Sequence, residues 1–129
     1  MKGKTIDDIL REEFLKERAV VLGRTGESVA RAIARLQHLA QIIENRHQEL
    51  RRLDREPDGA TECHELRTAK ESAVNDINSK IAQYNRLWDH AQLRYYYLIV
   101  TREAMGLRSH HRAEEIYRIP PKKKQLSGG

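Results

Sequence analysis

A chain of 129 residues with 39% apolar and 33% charged side chains is long enough for one domain and too polar for a deep core. Its formal charge of +5 and pI near 9.5 admit an anionic partner, whereas a composition rich in Ala, Leu, Glu, Arg and Lys argues against a compact α/β enzyme. The opening residues have no apolar signal core and nowhere do about eighteen apolar residues run together, so neither a signal peptide nor a membrane span is expected. With a single cysteine, Cys63, no internal disulfide can form, and a cytoplasmic location is the expectation.

The first helix is predicted to begin at Thr5, a hydroxyl cap followed by the acidic first-turn residues Asp7 and Asp8. Ile6, Ile9, Leu10, Phe14 and Val21 form its apolar side, joined by Leu15 and Leu22. Gly23-Arg24-Thr25-Gly26 then predicts an interruption, with Thr25 capping the next helix. Beyond it, Val29, Ile33, Leu36, Ala40, Ile43, His47 and Leu50 recur at alternating four- and three-residue steps, the seam of a helix packed along a partner. Ala32, Leu39, Ile42 and Leu53 widen that seam beyond what one antiparallel neighbour covers, which calls for a third helix or a second chain.

Pro57-Asp58-Gly59 is the strong breaker at which the chain is expected to reverse. A helix over residues 61–105 carries the return seam through Val74, Ile77, Ile81, Tyr84, Trp88, Ala91, Tyr95, Leu98 and Met105, with Arg102 breaking the apolar pattern. Tyr95-Tyr96-Tyr97-Leu98-Ile99-Val100 has strand-like composition but no bounding turn residue, so it is read as a helical segment buried on several sides. A tight turn over residues 57–60 sets it beside residues 17–22. That register favours a kink at residues 23–26 over a full reversal. Gly106 ends the long helix, Ser109 caps a short one reaching Ile119, and Pro120-Pro121 stops it.

The expected fold is all-α: a long antiparallel helical hairpin of coiled-coil type, with a kinked N-terminal helix and a short C-terminal helix. Residues 1–121 form one helical domain and residues 122–129 a flexible basic tail. Leu39, Ile42, Leu53, Tyr95, Tyr96, Tyr97 and Leu98 are the candidate interface residues of a homodimer that completes a bundle.

No residue constellation announces a reaction, a cofactor or a metal site. Glu44 and His47 have the i, i+3 spacing of helix-bundle metal ligands, yet the other long helix offers no matching pair, and a polar seam residue explains His47 better. His110 and Glu114, and His111 and Glu115, are spaced as ordinary helix-surface pairs. Cys63 beside His64 fails as a catalytic pair, because adjacent helix residues point about 100° apart.

Arg51, Arg52 and Arg55 form one basic cluster, and Arg108, Arg112, Arg118, Lys122, Lys123 and Lys124 a second, both able to bind nucleic acid through phosphate contacts. Neither carries a recognition motif, and Asp7, Asp8, Glu12, Glu13 and Glu17 oppose them in sign. The functional expectation is a non-enzymatic interaction or scaffolding module that binds itself and a further protein, with a nucleic-acid accessory protein as the alternative.

Leu22-Gly23-Arg24-Thr25-Gly26 after an acidic amphipathic helix, Thr101-Arg102-Glu103-Ala104-Met105-Gly106-Leu107-Arg108, and Tyr117-Arg118-Ile119-Pro120-Pro121 together resemble a family of small helical bacterial proteins with no assigned function. The resemblance covers the two ends of the chain. It implies a helical fold and carries no functional residue.

Overall fold

A computed structural model describes residues 3–55 and 64–127. Two long helices, α1 (Ile6–Asp54) and α2 (His64–Ala104), pack against each other as a hairpin, and a short α3 (His111–Ile116) follows. The predicted turn at residues 57–60 and Cys63 lie outside the described residues.

Thr5 starts α1 as expected and in full reciprocity: its hydroxyl accepts from the Asp8 N–H at 3.2 Å, and the Asp8 carboxylate accepts from the Thr5 N–H at 3.3 Å. The predicted interruption at residues 23–26 is absent, since α1 runs through it unbroken. Thr25 caps nothing; its hydroxyl donates to the Val21 carbonyl at 2.8 Å, one turn back. Gly23 faces open space. Gly26 is buried for another reason: a Cβ there would stand 2.6 Å from the Tyr117 hydroxyl oxygen. The glycine is a notch in the helix surface that seats a ring from the end of the chain.

Gly106 terminates α2 as predicted. It adopts φ +85°, and the Gly106 and Leu107 N–H groups donate to Glu103 and Arg102 carbonyls at 2.9 Å each, the paired bonds of a Schellman motif. The last helix is shorter than expected and leaves α2 by a turn rather than by a Ser109 cap.

The register departs from the one a tight turn predicts. That turn puts Glu12 opposite Met105; instead the Arg18 guanidinium donates to the Met105 carbonyl, Arg46 meets Asp76 at 3.4 Å and Lys70 meets Asp54 at 3.4 Å. α1 ends at Asp54, and the described part of α2 begins at His64. By those contacts residues 95–100 lie level with residues 23–28, not with residues 17–22.

The core is a row of two clusters. Ala32, Leu36, Leu39 and Ile43 of α1 meet Ile77, Ile81, Tyr84 and Ala91 of α2, and Val29 and Ile33 meet Leu98 nearer the open end. Ile119 touches both clusters and Leu126 packs on the first. The end of the same chain thus supplies a third layer on one flank of the α1–α2 pair, while Leu39 and Ile42 of the broad arc line the other, open flank. Two candidate interface residues are corrected by this packing: Leu39, 7% exposed, and Leu98, 2% exposed, belong to the intramolecular core.

The tail is not free. From Pro120 onward it lies extended along α2 toward the closed end of the hairpin, and the four bonds that Asn78 and Asn85 make with its main chain hold it there.

Candidate interaction surface

Because α2 stops at Ala104 while α1 continues past its partner, residues 3–17 are exposed without exception. At about 1.5 Å per residue, this free segment of α1 projects roughly 18 Å beyond the paired core. Arg18 marks the boundary: it closes the C-terminal end of α2 through Met105 and stands 5.4 Å over the Phe14 ring.

The overhang is amphipathic, and none of the described residues covers its apolar face. Ile6, Leu10 and Phe14 follow one another at four-residue steps and Val21 continues their line, with Ile9 and Val20 alongside. Phe14 is 57% exposed and Ile6 76%. Glu13 and Glu17 lie within the same arc, so the stripe is apolar with acidic insertions.

A second apolar patch occupies the outer side of α2 near the same end of the hairpin. Leu93, Tyr96, Tyr97 and Val100 are exposed there, with the Tyr96 and Tyr97 rings 6.1 Å apart and tilted by 54°. Of the candidate interface residues, Tyr96 and Tyr97 are thus truly exposed, while Tyr95, Ile42 and Leu53 are half-buried. The run over residues 95–100 is not covered on several sides, because only Leu98 is fully buried and only Tyr95 packs beside it on the Val29–Ile33 cluster, while Tyr96, Tyr97 and Val100 are exposed. Burial pushes the Tyr95 hydroxyl pKa up, aided by Glu114 and opposed by Arg102; burial raises that of Tyr84 as well.

One side of the α1–α2 groove carries the tail, and the other is open. The open side has Leu39, Ile42 and Leu87 in its floor and Arg31, Arg35, His38 and Lys80 around it, with Arg94 and His90 adjoining. This cationic groove was missed in the sequence because its charges sit on two helices and converge only through their register.

The predicted basic residues do not form one track. Arg51 is engaged by Glu44 at 3.0 Å, and Lys122 by Asp89 at 3.1 Å. Arg52 and Arg55 stand at the end of α1, Arg108 follows the end of α2, Arg112 lies on α3, and Arg118 borders the cleft beside Gln37 and Gln41. Lys123 reaches over the Tyr84 ring at 5.1 Å, and Lys124 is exposed.

Glu44 is bound to Arg51 and so is not poised with His47 as a ligand pair. His111 pairs with Glu115 at 3.3 Å as its spacing predicts, but His110 turns back to Glu103 at 3.1 Å and to Arg102. Among the described residues no group of three or more His, Cys, Asp or Glu is placed to hold a metal ion. No described helix is long and apolar enough to cross a membrane. No family model, no curated protein and no solved structure matches this chain.

Proposed function

We propose that this chain is a non-enzymatic helical interaction module that associates with a second copy of itself through the open end of the hairpin. The supporting observation is the overhang of α1, a capped helical segment with an apolar stripe and no neighbouring helix among the described residues. A helix with one free apolar face gains stability by covering it. The same chain presents the tyrosine patch on α2, so a two-fold arrangement gives each overhang a receiving surface. Glu13 and Glu17 in the stripe face a surface bordered by Arg94, an opposite-sign match that favours this pairing over stripe against stripe.

Light scattering at micromolar concentration tests the reading. The expected particle has twice the 15.1 kDa chain mass, and Leu10→Asp with Phe14→Asp returns it to the monomer. A native chain that stays monomeric on concentration removes the proposal.

The cationic groove supports a second reading, binding of a nucleic-acid backbone across Arg35 and Arg94, with Arg31 and Lys80 joining once released from Glu27 at 3.7 Å and Asp76 at 3.9 Å. The two diverge with salt. Phosphate binding weakens steeply between about 50 and 200 mM, whereas apolar association does not.

A further inference from the structure

The docking of the tail has the geometry of peptide recognition. Each asparagine side chain offers one acceptor and one donor in a plane, the complement of the N–H and C=O of a single extended residue. Asn85 uses both on Lys123, accepting from its N–H at 3.0 Å and donating to its carbonyl at 2.9 Å. Asn78 does the same on Leu126, at 2.7 and 3.1 Å. The spacings explain the fit. Seven helical residues at about 1.5 Å cover roughly 10.5 Å along α2, and three extended residues at about 3.1 to 3.4 Å cover nearly the same distance along the tail.

Two aromatic side chains extend this backbone reading and add selectivity for the side chains that follow. The Trp88 indole N–H donates to the Pro120 carbonyl at 2.7 Å, and the Tyr84 hydroxyl to the Pro121 carbonyl at 3.0 Å. Those two residues also present ring faces to consecutive lysines: Lys122 lies 4.8 Å from the Trp88 centroid and Lys123 5.1 Å from the Tyr84 centroid. Asp89 completes the first position by pairing with Lys122. Three residues beyond Lys123, Leu126 enters the hydrophobic cluster.

We propose that Asn78, Tyr84, Asn85, Trp88 and Asp89 form a binding site for an extended peptide of the pattern Pro-Pro-Lys-Lys-x-x-Leu. The tail occupies this site as an exchangeable internal ligand, and the tail of a second copy is its occupant in trans. Exchange is a consequence of the kind of contact involved. The tail is held by part-buried hydrogen bonds, by two cation–aromatic contacts and by one half-buried leucine, none of them a contact between α1 and α2, so it detaches without unfolding the hairpin. The segment bound in cis is the one sequence whose fit to the site is visible. This route of association is separate from the α1 overhang.

Fluorescence anisotropy of a labelled peptide with the sequence of residues 117–127 tests the site on the full-length chain. Lys123→Pro with Leu126→Asp releases the chain's own tail, and this variant is expected to bind the peptide saturably while the native chain, already occupied, binds it far less. Asn78→Ala with Asn85→Ala on that background is expected to weaken binding by at least about tenfold. If the double tail variant does not fold, Lys123→Pro alone gives the same comparison, because it removes the N–H that Asn85 accepts and keeps Leu126.

A second arm mixes that tail variant with a chain that keeps its tail but carries Asn78→Ala and Asn85→Ala, both bearing Leu10→Asp and Phe14→Asp to silence the overhang. Co-sedimentation of the two is the expected result. A folded tail variant that fails to bind the peptide, binding indifferent to the asparagines, or two chains that never co-sediment would each overturn the proposal.

Discussion

Two glycines three residues apart in α1 have opposite meanings. Gly23 meets nothing within 4 Å of an added Cβ, so Gly23→Ala removes backbone entropy from the unfolded chain and stabilises the protein by about 0.5 to 1 kcal/mol. Gly26→Ala has the same helical gain but drives a methyl into the Tyr117 hydroxyl, and it is expected to be less stable than Gly23→Ala. Tyr117→Phe relieves the conflict, since the next ring atom, Cζ, stands at an ordinary 3.5 Å. Urea denaturation of Gly26→Ala in the Tyr117→Phe background should therefore recover the gain seen at position 23. An equal response of the two glycines in the native background would mean that the ring is not seated on Gly26. In the sequence the pair is a helix breaker; only the return of Tyr117, 91 positions later, shows one of them to be a socket.

Among the elements, the tail reverses its sequence expectation most fully. Its lysines and terminal glycines have the composition of a solvated segment, and composition carries no trace of two asparagines spaced to grip a main chain. Truncation after Pro121 removes five side-chain to main-chain bonds, the Lys122–Asp89 ion pair and the Leu126 contact, so it should lower stability by about 1 to 3 kcal/mol, read as a fall of several degrees in Tm. An unchanged melting curve would show the tail to be undocked in solution. The overhang of α1 makes the contrasting case. Its cap and stripe are plain in the sequence, but its lack of a neighbour depends on where α2 ends, which is a matter of register.

At the scale of the molecule, the thin paired core carries the stability. Leu98 closes the cluster with Val29 and Ile33, and Leu98→Ala should cost about 2 to 5 kcal/mol, whereas Arg94→Ala on the exposed side should cost under about 1. Denaturant titration of the two variants gives the comparison; equally mild effects would place residues 95–100 outside the core. Few residues of either long helix are fully buried, so each of them carries a large share of the stability.

The sequence by itself determined the all-α hairpin, the Thr5 cap, the Gly106 stop and the inward seam from Val29 to Leu98, because each depends on near neighbours or on a period of about 3.6 residues; it did not determine the unbroken course of α1, whose two glycines read locally as a break. The tertiary structure decided the register of the hairpin, the overhang, the cationic groove and the docking of the tail. Those depend on the length of one reversal and on contacts between residues far apart in the chain, and such contacts leave no periodic signal to read.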